Sequence, residues 1–289
     1  MMNRFLDRVP YLSRKRGRPT VAVLRLSGPI GMPLAIGRSL SLASLAGPIE
    51  QAFSIKSVKA VALLINSPGG SAVQSTLIHD RIRALAGEKS VPVFAFTEDV
   101  AASRGYMLAL AGDEIYADAS SIVGSIGVIA AGFGFSELLD KLGIERRIHT
   151  AGKSKAMLDA FQPEDPEDVK RLKALQNEIH VTFIDLVKRR RGDLLKGSDD
   201  NLFTGEFWTG TTAQKLGLID GIGDVRTVMR ARYGEKVKLR LIGGPSPWWR
   251  RRAFMREGTA GFHGVTGSFW ADDLINAVEQ RSLWARFGL

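Results

Sequence analysis

The chain has 289 residues, 45% of them hydrophobic and 24% charged, with no cysteine and a net charge of +10. That length allows one large α/β domain with appendages, or two domains. Disulfides, thiol catalysis and thiolate metal sites are excluded, and His79, His149, His180 and His263 show no i, i+4 pairing. The sequence therefore implies neither a zinc centre nor a cofactor.

The basic excess gathers in RKRGR (14–18), KRRR (188–191) and WWRRR (248–252). Solvated faces and tails explain such runs, and so does an acidic partner. Trp beside Arg suits a phospholipid headgroup layer, whereas no RNP-like or KH-like motif supports a nucleic acid. No apolar window approaches about eighteen residues, and the start is too charged and too broken by proline for a signal peptide. The expectation is a cytoplasmic protein, at most peripheral at the membrane face.

In chain order, residues 1–19 read as a basic arm, 20–242 as the folded domain and 243–289 as a basic, Trp-containing tail. VAVLRLSG (21–28) predicts a first strand and PIEQAFSI (48–55) a helix. VKAVALLIN (58–66) is a continuous apolar run, as in a strand buried on both faces. It stops at SPGGS, after which STLIHDRIRALAG (75–87) has helical spacing and ends on Gly87. VPVFAFT (91–97) predicts the next strand and Ser103–Ala111 the next helix. This alternation argues for an α/β architecture of β-α crossovers.

EIYADASSIVGSIGVIA (114–130) predicts two short strands around a Gly-Ser step. FGFSELLDKLG (133–143) predicts a helix and ERRIHTAGK (145–153) a strand. Asp165-Pro166-Glu167-Asp168 opens a long helix with an N-cap, a proline at N1 and early acids, and KRRRG closes it. TTAQKLGLIDGIGD (211–224) reads as a short helix, a turn and a strand edge.

Two stretches carry chemistry. Gly69 and Gly70 lie between a buried strand and a helix, where backbone N–H groups can hold a phosphate or an oxyanion, or simply make the turn. SPGGS fits neither GxGxxG nor the Walker pattern. Ser103 stands at a helix start as either a cap or a nucleophile, helped in the second case by the dipole and by the N–H of Arg104. A nucleophilic hydroxyl needs a base, and the histidines are poorly placed. AGKSKAM offers Lys153 and Lys155, the latter better placed for burial. A neutral lysine at pH 7 means a shift of roughly 3.4 units, or ~4.6 kcal/mol, which only a desolvated site supplies.

INSPGGS, AASRGYMLALAGDEIYADASSIVGSIGVI, AGKSKAM and FTGEFWTGTTAQKLGLIDGIG, taken in this order, resemble the signal peptide peptidase A family of serine peptidases. The resemblance spans about residues 20–235. It implies a crotonase-like, Clp-protease-like α/β superhelix of β-β-α units, with a long helix and a basic C-terminal tail. It implies Ser103 as nucleophile, Lys155 as general base and Ser125 as the hydroxyl that orients the lysine. The N–H groups of Gly70 and Arg104 match the oxyanion hole. The family's short members form rings in which serine and lysine come from neighbouring subunits. An extended peptide, with small or hydrophobic residues before the cut, is expected to add as a strand near Gly69, Ser71, Gly124 and Gly127.

Three departures stand out. Arg104 replaces the family's usual glycine, and its side chain narrows the cleft or meets an acidic substrate group. Ser154 precedes the lysine where an aromatic residue is common, and the family's N-terminal membrane anchor is missing. The alternatives are a catalytically decayed oligomeric scaffold and a crotonase-type acyl-CoA enzyme.

Overall fold

Strands buried on both faces set the architecture. In the computed structural model, which describes residues 18–31, 39–243, 278 and 281–289, they form the middle of one sheet. The WWRRR run, nearly all of the basic arm and most of the C-terminal tail lie outside the described residues. The elements are β1 (Thr20–Ser27), α1 (Leu42–Phe53), β2 (Val58–Ser67), α2 (Ala72–Lys89), β3 (Val93–Ala102) and α3 (Arg104–Ala109). There follow β4 (Glu114–Ala117), β5 (Ile122–Gly124), α4 (Ser136–Leu142) and α5 (Pro166–Arg191). The series ends with α6 (Asp199–Leu202), β6 (Phe207–Thr209), α7 (Gly210–Lys215), β7 (Gly221–Ile222), α8 (Val225–Tyr233) and β8 (Lys238–Ile242).

The sheet runs β6-β5-β3-β2-β1-β8, with β4 on β3 and β7 on β4. Every pairing is parallel except β5 with β6. Alternate residues of the central strands face two cores. Leu24, Leu26, Val61, Leu63 and Ile65 pack with α1, α2 and α3, while Val21, Val23, Phe94 and Phe96 pack with Met229 of α8. Each such large side chain contributes about 1.5–3 kcal/mol on burial.

The third strand forks. Phe94–Thr97 pair with β4, whereas Val100–Ala102 pair with β5. The buried Ser121 hydroxyl closes the fork by donating to the Glu98 carbonyl at 2.5 Å. The fork is what lengthens β3 beyond the expected Thr97 to Ala102.

Other boundaries also differ from those expected. A Ser41/Ser44 capping box starts α1 well before Pro48. Helix α2 runs through Gly87 and ends on Ser90 in a left-handed conformation. Both short strands, β4 and β5, precede the Gly124-Ser125 step. Residues 145–150 form no strand, since they stay almost wholly exposed and no neighbouring strand pairs with them. Strands β6 and β8 and helices α6 and α8 were not foreseen.

The KRRR run is a clamp within the fold. At the end of α5, Arg190 donates to the carbonyls of Leu110 (2.8 Å) and Gly112 (2.7 Å), just past α3. Buried Arg191 donates to Gly217 O and pairs with Asp220 at 2.8 Å, and Asp220 also accepts from Ile115 N–H. Cutting a buried pair from one side leaves an uncompensated charge. Arg191→Met is therefore expected to destabilise the fold by about 3 kcal/mol in urea unfolding, and Asp220→Asn in the same chain to recover part of the loss.

Candidate active site

Ser103 follows directly on β3. Its N–H donates to Gly124 O at 2.7 Å, which holds the residue at φ 52°, ψ −122°. A serine in that region costs about 1–3 kcal/mol, a strain that persists only where the surroundings impose it. The hydroxyl makes no capping hydrogen bond to α3, so the cap reading of Ser103 does not hold. With only six residues, α3 has little dipole to offer. What it does offer is the N–H of Arg104, its first residue, which has no acceptor among the described residues.

The SPGG turn lies against this serine. A β-carbon on Gly69 would stand 3.0 Å from Ser103 Cβ and 3.1 Å from Arg104 N. One on Gly70 would stand 2.2 Å from Ile30 O, and Gly70 also has φ 137°. Ile30 N–H donates to Gly69 O at 2.9 Å and Ser71 N–H to Ile30 O at 2.8 Å. Among the described residues Gly70 N–H is left without an acceptor. Ser71 caps α2, its hydroxyl accepting from Gln74 N–H. Gly69 and Ser71 thus have their backbone groups engaged within the turn that carries Gly70.

A second close approach supports Arg104. A β-carbon on Gly105 would lie 2.3 Å from Ser67 O, so only a bare α-carbon lets α3 start against the end of β2.

Ser125 arrives from the fork. Ala102 pairs with Gly124, so the next residues, Ser103 and Ser125, stand beside each other, both at positive φ. Ser125 is buried and its N–H donates to Glu206 O at 2.6 Å. Trp208 covers Gly124, and Gly127 closes on Gly205. From α5, His180 Nε2 meets Ile126 O at 3.0 Å.

Arg104 is 4% exposed, and its guanidinium lies 4.4 Å over the Phe183 ring. Burial lowers its pKa to about 10, which leaves it a cation at neutral pH. Lys155 behaves differently. It and Lys153 are exposed in the turn that spans 151–158, against the burial expected for Lys155. No contact joins Lys155 to Ser103 among the described residues. One protomer therefore brings together Ser103, Ser125 and the N–H groups of Gly70 and Arg104, but not the lysine.

Residues 86–239, a little over half of the chain, match Peptidase family S49. The chain belongs to this family. Residues 50–121 also match Clp protease, and the forked, mostly parallel sheet is of that Clp-protease-like α/β class. Serine protease SPPA, chloroplastic, of Arabidopsis thaliana is 33% identical over 77% of this chain and 33% of its own length. A protein of Brucella abortus named Na(+)/H(+) antiporter NhaA is 54% identical over 93% of this chain. The match covers 37% of that protein, and the S49 region lies within it. The S49 chain thus spans about a third of the length of these relatives. A solved membrane-bound stomatin-specific protease in complex with a substrate peptide is 16% identical, with a TM-score of 0.48 over 83% of this chain and 98% of its own. Among the described residues no helix is long and apolar enough to cross a membrane.

Sequence reasoning missed Ile30, Gly105, Phe183, Gly205 and Trp208, which build the site's walls. AASRGYMLALAG, which holds Gly105, and FTGEFWTG, which holds Gly205 and Trp208, gave a signal through the family resemblance, whereas Ile30 and Phe183 gave none. Gly105→Ala is expected to lower stability by about 1–3 kcal/mol through overpacking. If Ser103 is the nucleophile, the displaced Arg104 N–H should also slow its fluorophosphonate labelling about 10²-fold. Thermal melts and labelling rates on the same sample check both.

Proposed function

We propose that this chain is an active serine endopeptidase with Ser103 as nucleophile and Lys155 of a neighbouring copy as general base. One observation carries the reading: a serine held in a strained conformation, its hydroxyl uncommitted and, among the described residues, beside two backbone N–H groups that lack acceptors. Lys155 takes the Ser103 proton as the oxygen attacks a peptide carbonyl, and Ser125 orients the amine. Gly70 and Arg104 N–H stabilise the oxyanion, each donor being worth about 10²–10³ in kcat. The protonated lysine then passes its proton to the leaving amine, and water hydrolyses the acyl-enzyme. The substrate is an extended peptide with small or hydrophobic residues before the cut, cleaved signal peptides among the candidates.

The neighbour's part is supported by the segment that carries Lys155. No residue of α4 is buried, and in α5 burial is confined to Phe183, Leu186, Val187 and Arg191 near its end. Ile129, Phe133, Leu138, Leu142 and Ile144 point outward. A second copy packed over this arm removes that apolar surface from water and dries the amine, as a neutral lysine requires. Repeated head to tail, the contact closes a ring.

Fluorophosphonate labelling at Ser103 should vanish in Ser103→Ala and fall strongly in Lys155→Ala. Mixed and reassembled, the two inactive variants should regain activity at about a quarter of the sites, since each site draws on two subunits. An assembled oligomer that never labels would leave the second reading, an oligomeric scaffold that has lost activity, which the bulky Arg104 favours.

The same proposal places the protein in the cytoplasm, in peripheral contact with anionic lipid. The basic runs at 14–18 and 248–252 and the relative named as an antiporter support it. Co-sedimentation with anionic vesicles should occur at low salt and be lost at high salt or on removal of residues 244–289.

A further inference from the structure

The residue after the nucleophile carries a charge that the peptidase mechanism does not use. Arg104 is nearly sealed between α3 and α5, yet among the described residues its guanidinium has neither a hydrogen bond nor a carboxylate partner. Its one neighbour of note is the face of Phe183. The other buried arginine, Arg191, holds Asp220 at 2.8 Å and shows what this fold does with a guanidinium that serves only structure. Among the described residues, the buried side-chain polar atoms without partners and without solvent contact are His79 Nε2 and Thr97 Oγ1. The Arg104 nitrogens are not among them, so the little surface this residue keeps includes its donors.

A buried cation facing only a ring is poorly compensated, because a cation–π contact replaces a fraction of the lost hydration. Its five donors form a planar fork that fits a carboxylate through two parallel hydrogen bonds. An ammonium could not reproduce that fork. Its backbone N–H is an oxyanion donor, so a group held by its side chain lies close to the scissile bond.

We propose that Arg104 is a specificity-determining residue that receives a carboxylate of the peptide substrate, one or two residues from the bond to be cut. The carboxylate belongs to an Asp or Glu side chain or to the C-terminus of a peptide that ends near the cut. This selection rests on the peptidase reading above and adds to it: the site discriminates by charge as well as by apolar fit. Replacing the carboxylate by an amide leaves the guanidinium without its partner, so discrimination follows from the unpaired site as much as from the lost bond.

The test compares internally quenched peptides that differ only in Glu or Gln at each position flanking the cut, all with amidated ends. A second series compares free and amidated C-termini close to the cut. Wild-type chain should favour the carboxylate member of one series by about 10-fold or more in kcat/KM, the series itself identifying the source. The acid-to-amide ratio should fall to near unity in Arg104→Met and to an intermediate value in Arg104→Lys. Because each ratio is taken within one variant, a general loss of activity does not affect it. Equal rates for acid and amide peptides in a chain that labels at Ser103, or a preference that survives in Arg104→Met, would overturn the proposal while leaving the peptidase standing. If no peptide is cleaved, the peptidase reading fails first. Binding of the same fluorescent peptides to Ser103→Ala then decides: tighter binding of the carboxylate members, lost on adding Arg104→Met, supports the site, and equal binding refutes it.

Discussion

The hydrogen bond from Ser103 N–H to Gly124 O, at 2.7 Å, fixes the nucleophile candidate against the neighbouring strand. It can form only because β3 leaves β4 after Thr97 and takes up β5 from Val100. The fork brings Gly124 opposite Ala102, so the chain turns at Ser103 with its backbone fixed. The strain of about 1–3 kcal/mol at that residue is offset by what it anchors. Ala101, Ala102 and Tyr106 are buried on either side, and Tyr106 donates to Leu218 O at 2.7 Å. Beyond α3, Arg83 and Arg190 hold the carbonyls of Leu110, Ala111 and Gly112. The serine stands at the start of an element whose far end is gripped by arginines from two other helices. Its position is thus set by the whole core rather than by its own loop.

Much of this was legible in the chain itself. Continuous apolar runs marked β1 and β2, and Asp165-Pro166 with KRRRG marked both ends of α5. Where periodicity had enough length it was reliable. It failed where tertiary pairing made the decision. Residues 145–150 alternate like a strand but have no neighbour to pair with, while β6 has three residues and exists because β5 lies beside it. The KRRR run looked like solvated charge, yet two of its arginines bind carbonyls and a carboxylate within the fold. Local sequence shows a charge but not the distant oxygen that receives it.

The site divided in the same way. SPGGS and SRGY announced themselves through glycines and a hydroxyl, and the backbone placed them together. Ile30 left no local mark, because its importance comes from its contact with Gly70 across the fold, and nothing in SRGY showed that its glycine, Gly105, meets Ser67. The apolar residues after Lys155 and the family resemblance both favour it as the base, but in one protomer it is exposed. In the proposed assembly a neighbouring copy over the arm covers the outward face of Phe133, Leu138 and Leu142 and dries the lysine. Arg104 adds a demand of its own, since among the described residues its buried guanidinium beside Ser103 has no anion.

The central claim is that a complete dyad exists only between copies. A structure of the assembled oligomer at a resolution that shows side chains tests it most directly, through the distance from Ser103 Oγ of one copy to Lys155 Nζ of the next. Hydrogen-bond reach is expected, about 2.6–3.2 Å, with the amine enclosed by both chains and Ser125 against it. An oligomer in which Lys155 remains in solvent, away from every Ser103, would contradict it.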